Sequence, residues 1–380
     1  MTAANIAGGR LLLPDRCVEG DIQIKDGKIA EVIESTGRGN ARDDFSAHGC
    51  YVAPGFIDIH TQGCMGIDLG RATVDDVRRM ARAMPAFGTT AYLATLGYKR
   101  GRLADLLPSI NADTGGAKML GFYLEGPFIN PGRLGAMRPE YCLPPDPATL
   151  DLILDEAQGN LKLMTVAPEL DGALKLIKTL DKARVAPAIG HTLATYDEAM
   201  RGIEAGQRHA THLFNAMTGL EHRQPGTVGA VLSAEHVTAE LICDAIHIHP
   251  AVFRLVTQIK GPGHTVLVTD STCAAGLPPD QSSSLFGSGA RIIDGAPRLP
   301  DGTIAGSVLT PIKAVENLVG LAGVPVHEAA RMLTLTPATV IGASGCKGSL
   351  EKGKDADIVI FNDDFEVQAT FLSGELAWQR

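Results

Sequence analysis

The sequence predicts an α/β chain: a (β/α)8 TIM-like barrel joined to a small β-sandwich domain built from both chain termini. Three observations predict it. Short apolar runs recur through the middle of the chain with helix-like spacers between them, as strands buried on both faces of a parallel sheet would. Five of these runs stop on a residue that can bind a metal or move a proton, which is where barrel enzymes carry their reactive side chains. Both ends of the chain, by contrast, alternate in the manner of antiparallel hairpins.

In order, the eight candidate strands lie around 56–60, 90–95, 119–124, 162–167, 185–190, 208–212, 238–243 and 265–269. Phe56-Ile57-Asp58-Ile59 ends on His60, Leu120-Gly121-Phe122-Tyr123-Leu124 on Glu125, and Ala186-Pro187-Ala188-Ile189-Gly190 on His191. Arg208-His209-Ala210-Thr211 ends on His212, and Thr265-Val266-Leu267-Val268-Thr269 on Asp270. Between them, stretches such as Val74–Ala81 and Asp171–Ile177 have helical spacing, and Thr195-Tyr196-Asp197-Glu198 carries an N-cap with early acids. Residues 274–307, rich in Gly, Ser and Pro, read as an insertion after the eighth strand. The ends read differently. Ile22, Ile24, Ile29, Val32 and Ile33 surround the turn Asp26-Gly27-Lys28, while Gly353-Lys354-Asp355-Ala356-Asp357 leads into Ile358-Val359-Ile360-Phe361. Residues 1–52 and 340–380 are therefore assigned to one discontinuous sheet domain and 53–339 to the barrel.

With 380 residues the chain can bury the core of such a barrel and a second small domain. A net charge of −9 argues against a nucleic-acid or acidic-membrane partner, while leaving room for a basic pocket that takes one phosphate. No apolar stretch is long enough to span a bilayer, and the N-terminus carries no signal-peptide pattern. The seven cysteines are scattered without a Cys-x-x-Cys pair, which suits reduced thiols and a cytoplasmic location.

Seven of the eleven histidines fall within residues 191–249. Imidazoles with one carboxylate are the ligand set of a metal site that keeps a position open for water or substrate. Glu125, His191 and His212, at the ends of three nearby strands, could converge over the barrel mouth. Asp270 is placed to take a proton from an activated water and pass it to a leaving group. Taken singly, each has a plainer reading: a hydrogen-bonded histidine, a salt-bridge partner, a helix N-cap at Asp270. The constellation points to a metal-assisted hydrolase.

Pro54-Gly55-Phe56-Ile57-Asp58-Ile59-His60 resembles the opening strand of the amidohydrolase superfamily. Leu124-Glu125-Gly126-Pro127-Phe128, Gly190-His191-Thr192, Thr211-His212-Leu213-Phe214-Asn215-Ala216-Met217 and Leu267-Val268-Thr269-Asp270, in that order, resemble the N-acetylglucosamine-6-phosphate deacetylase family. The similarity extends over nearly the whole chain. It implies hydrolysis of the N-acetyl amide of an amino-sugar 6-phosphate to acetate and the free amine. It implies one divalent ion per subunit, zinc first with Fe2+, Mn2+ or Co2+ as alternatives, held by Glu125, His191 and His212, with Asp270 as general base and then acid. Ala136, Met137, Asn215, Ala216, His247 and the segment Ile304, Ala305, Gly306 would meet the substrate. Arg223 would clamp the phosphate from the neighbouring subunit of a homodimer, where a guanidinium fork suits bidentate contact.

Two departures accompany the resemblance. Where many superfamily members carry His-x-His and a second metal, this chain has His60-Thr61-Gln62, so His60 is at most a partial ligand of a second ion. Where the family usually has a loop histidine that polarises the acetyl carbonyl, this chain has Gly135-Ala136-Met137. A thioether donates no hydrogen bond, leaving Arg133, Arg138 or the metal to do so. Two other readings stay open at this point: another amide hydrolase or deaminase of the superfamily, and a metal-binding relative without turnover.

Overall fold

The computed structural model describes residues 3–34, 45–278 and 289–380. Eight parallel strands form its central sheet: β1 (Phe56–Thr61), β2 (Thr89–Leu96), β3 (Lys118–Leu124), β4 (Leu161–Val166), β5 (Ala186–Ile189), β6 (His209–Ala210), β7 (Thr238–Ile242) and β8 (Thr265–Val268). Each pairs with the next in sequence. Every residue of β1 and β2 is buried, because helices cover one face and barrel-filling side chains the other. The ring closes just beyond the last strand, where Asp270 N donates to His60 O at 2.8 Å and Gln62 N to Ser271 O at 2.8 Å. Closure therefore falls at the carboxyl ends of the strands, the end that carries the reactive residues.

The helices begin where side chains can cap them. Thr73 and Asp76 form a capping box at the start of helix Val74–Ala83, and Thr195 with Glu198 does the same for helix Tyr196–Ala205. Helix Ala173–Lys182 turns Leu176, Ile177 and Leu180 into the core at the spacing of one helical face.

The termini meet in a second sheet. Strand Ala3–Leu12 pairs antiparallel with Cys17–Lys25 and parallel with Tyr51–Pro54, which in turn pairs antiparallel with Ile358–Phe361. The sheet folds over, so that Ile22, Ile24 and Ile29 share one core with Ile358, Ile360 and Phe371. The Gly-Lys-Asp-Ala-Asp segment is its clasp. Lys347 Nζ lies 2.8 Å from Asp355 Oδ2 and 2.5 Å from Asp357 Oδ2, while Lys28 Nζ reaches the other oxygen of Asp355. The other face of this sheet packs on the barrel, since Leu12, Ala53, Val359 and Phe361 belong to the same apolar cluster as Ile57 and Leu93.

Beyond β8, residues 279–288 of the expected insertion lie outside the described residues; Arg291–Ile293 and Ala296–Arg298 form a small hairpin. Among the described residues no helix is long and apolar enough to cross a membrane.

Candidate active site

Four strand ends bring the reactive groups together. The Oε1 atom of Glu125, one residue past β3, lies 2.7 Å from His191 Nε2 and 2.9 Å from His212 Nε2, and the two nitrogens are 3.1 Å apart. His191 and His212 follow β5 and β6, and each turns inward on a positive φ, 47° and 25°. Asp270, after β8, does the same at 46°. Non-glycine residues in this region are held there by their surroundings, and they gather at functional sites.

The donor chemistry fits a divalent ion. One ligand atom from each of Glu125, His191 and His212 lies within 4.8 Å of the others, and all three residues are buried. His191 Nδ1 is 2.8 Å from Arg133 O. A carbonyl only accepts, so Nδ1 carries a hydrogen, and Nε2 is the nitrogen that would face an ion at the centre. Burial disfavours a charged Glu125, but the hydrogen bonds from His191 and His212 outweigh it and hold this carboxyl well below its usual range. Asp270 moves the other way: burial raises it, and the nearby Glu125 adds to the effect against the opposing pull of His60.

His60 stands beside this group and outside it. Its Nε2 is 4.0 Å from Glu125 Oε2 and 3.4 Å from Asp270 Oδ1, and among the described residues it has no hydrogen-bond partner. Its Nδ1 is 2.8 Å from Glu240 Oε2. Glu240, on β7 and fully buried, also receives His209 Nε2 at 2.9 Å and the backbone of His212 at 2.8 Å. Burial works against a charge on His60, yet Glu240 and Asp270 outweigh it and push the imidazole up to about 10. Asp58, from the Pro-Gly-Phe-Ile-Asp strand, accepts from Thr269 Oγ1 at 2.5 Å and ties β1 to β8 beneath these residues.

A cavity of about 650 Å³ opens above the group. Ala136 and Met137 line it from the loop after β3, Asn215 and Ala216 from the loop after β6, and His247 from the loop after β7. Ile304, Ala305 and Gly306 line it as well, from the segment that packs beside Asp270. Asp244 orients His247: its Oδ2 is 2.6 Å from His247 Nδ1, and its Oδ1 takes the amides of Ile246 and His247. Arg133 and Arg138 also border the cavity. Arg223 does not; it is exposed on the loop before helix Gly226–Ser233.

Several residues that shape the site escaped sequence reasoning. Glu240 and Glu169 are two of them. Glu169 ties three loops together, accepting from Asn130 Nδ2 at 2.9 Å, Thr192 Oγ1 at 2.5 Å and Leu193 N at 2.6 Å. Gln62, which the sequence offers only as the amide in place of a second histidine, also shapes the site: its Nε2 donates to Asp270 Oδ1 at 2.9 Å. The only signal for Glu240 was an acid within an otherwise apolar run.

A closed parallel barrel with a glutamate, two histidines and an aspartate at its carboxyl end defines a metal-dependent hydrolase of the barrel class. The chain matches the model of the Amidohydrolase family over residues 51–377. It is 35% identical over 331 residues to the N-acetylgalactosamine-6-phosphate deacetylase of Escherichia coli O157:H7, covering 86% of this chain and 87% of that one. It is 33% identical over 368 residues to the N-acetylglucosamine-6-phosphate deacetylase of Bacillus subtilis (strain 168), covering 94% and 93%. Among solved structures, the Mycobacterium smegmatis N-acetyl-D-glucosamine-6-phosphate deacetylase, a variant in complex with N-acetyl-D-glucosamine-6-phosphate, superposes with a TM-score of 0.91 at 31% identity, over 99% of this chain and 100% of that one. The chain belongs to the amidohydrolase family and, within it, to the N-acetylglucosamine-6-phosphate deacetylases.

Proposed function

We propose that this protein hydrolyses the N-acetyl amide of N-acetylglucosamine-6-phosphate, or of a close amino-sugar 6-phosphate analogue, to acetate and the amino-sugar phosphate. The observation that carries this reading is the meeting of Glu125, His191 and His212 at one point, with the Asp270 carboxylate beside them. These three residues would hold one divalent ion, zinc before iron, manganese or cobalt. Such an ion supplies Lewis acidity, which polarises the scissile carbonyl and acidifies a water.

Asp270 takes the proton from the attacking water as the carbon–oxygen bond forms. It then delivers that proton to the amide nitrogen as the carbon–nitrogen bond breaks, so that acetate and a free amine leave. A carboxyl raised by burial is suited to both halves of this transfer. His247, fixed by Asp244, meets the sugar, and the loop of Asn215 and Ala216 meets the phosphate side. Met137 offers no hydrogen bond to the carbonyl. The same reading keeps residues 53–339 as the catalytic barrel and 1–52 with 340–380 as the sheet domain. It makes the enzyme a cytoplasmic homodimer in which Arg223 of one subunit serves the other's cavity, and it includes no nucleic-acid or membrane partner.

The test is release of acetate from N-acetylglucosamine-6-phosphate, from its galactosamine epimer and from both unphosphorylated sugars, with elemental analysis alongside. We expect turnover of a phosphorylated sugar, about one tightly held ion per chain, and a loss of at least about 100-fold in kcat in Asp270→Asn with the ion retained. Metal-loaded protein that frees acetate from none of the four contradicts the assignment.

A further inference from the structure

The backbone of Asp270 is pinned on two sides. Its amide donates to His60 O at 2.8 Å, and its carbonyl accepts from Ser307 N at 2.7 Å. These bonds place the Cα but leave the carboxylate free to turn about its side-chain torsions. Gln62 supplies the missing constraint. It lies two residues beyond His60, borders the cavity, and donates from Nε2 to Asp270 Oδ1 at 2.9 Å. The orientation of the amide follows from chemistry, because an ionised carboxylate only accepts and the NH2 group must face it. The same oxygen has His60 Nε2 at 3.4 Å, on a ring whose far side is clamped by the fully buried Glu240. Among the described residues, none donates to Oδ2.

We propose that Gln62 is a positioning residue for the reaction: it holds one oxygen of Asp270 and thereby turns the other to the cavity for proton transfer. This rests on the role of Asp270 in the proposed reaction. The second position of the His-x-His pattern thus serves the proton carrier in this chain and leaves the metal to Glu125, His191 and His212. Proton transfer needs donor and acceptor within about 2.6–3.2 Å, and a misplacement of about 1 Å costs on the order of 100-fold. An untethered carboxylate would spend most of its time outside that range.

A residue that merely fills space makes the opposite prediction for one variant. Gln62→Glu is nearly isosteric, so a packing role tolerates it better than Gln62→Ala. A donor role does not, because the variant sets a second carboxylate against Oδ1. The experiment measures kcat, KM, bound metal and thermal unfolding for the wild type, Gln62→Ala, Gln62→Glu, Gln62→Asn and Asp270→Asn. In Gln62→Ala we expect kcat to fall about 10- to 100-fold, with KM within about threefold and metal content unchanged. Gln62→Glu should be slower still. Gln62→Asn, which keeps the amide but not its reach, should behave like the alanine variant and decides the matter if the glutamate variant fails to fold. Wild-type kcat in Gln62→Ala, or Gln62→Glu outperforming it, overturns the proposal so long as Asp270→Asn is inactive. Loss of metal in step with kcat also overturns it, since Gln62 would then act through the ion. An active Asp270→Asn sinks the mechanism itself and is distinguishable from either result.

Discussion

At the scale of single residues, the site is a set of fixed directions. His191, His212 and Asp270 all sit at positive φ at the ends of their strands, so the chain turns there and the side chains swing over the barrel mouth. Glu240 braces this arrangement from within, receiving His60, His209 and the amide of His212. Burial opposes its charge, but His60 and His209 outweigh that and hold the carboxyl far below its ordinary range. Glu240→Ala strands these donors in a dry interior. Breaking a buried ion pair in this way costs about 3–5 kcal/mol, and we expect a loss of that order, read as a lower midpoint in urea denaturation at neutral pH. Stability within about 0.5 kcal/mol of wild type, the range of a neutral surface change, shows that the network bears no weight.

The reactive residues were legible because each one ends an apolar run, a break that a linear reading registers. Glu240 was not. It lies inside Thr238-Ala239-Glu240-Leu241-Ile242, where simple alternation gives no sign that a charged group faces the barrel interior. Gln62 was visible only as a poor substitute for a histidine, because its partner Asp270 is 208 positions away.

At the scale of elements, all eight strands fall where buried runs place them, while their lengths follow tertiary demands. The run 208–212 reads as a strand, yet β6 is only His209–Ala210, since the turn at His212 takes the backbone out of the sheet. Helix contacts were beyond the reach of periodicity. Lys260 ends helix Pro250–Lys260 and reaches the end of the neighbouring helix Gly226–Ser233, donating to Val231 O at 3.2 Å and Ala234 O at 2.6 Å. A cation there complements the carbonyl end of that helix. Burial nevertheless brings the Lys260 ammonium down from 10.5 to about 8, with Glu235 offsetting only part of the shift. Between those two values the unfolded chain holds a proton that the folded chain has shed. The contribution of Lys260 to stability therefore rises with pH across this window. Denaturation of wild type and Lys260→Met at pH 8 and pH 10 should show their stability difference moving in favour of the wild type at the higher pH. A constant difference means the lysine keeps its ordinary affinity for protons.

At the scale of the whole molecule, the terminal sheet and the barrel share apolar contacts, and the ion pair from Lys28 to Asp355 draws the two ends of the chain together. Arg223 does not line the cavity of its own subunit. It is exposed, and the cavity of its own subunit is lined by Arg71, Arg133 and Arg138 instead. In the proposed homodimer each active site takes Asp270 from one subunit and Arg223 from the other, which makes a complementation experiment decisive. Arg223→Ala alone should raise KM for the phosphorylated sugar by about tenfold or more, as loss of a charge-assisted hydrogen bond worth roughly 1.5–3 kcal/mol requires. It should leave KM for an unphosphorylated analogue unchanged. Asp270→Asn alone should be nearly inactive. When the two variants are co-expressed, a mixed dimer contains one site with both defects and one with neither. The intact site should then turn over with the wild-type KM, at a rate set by the fraction of mixed dimers. If co-expression yields only the sum of the two defective activities, Arg223 acts within its own subunit or not at all, and the phosphate must be held by the arginines that already border the cavity.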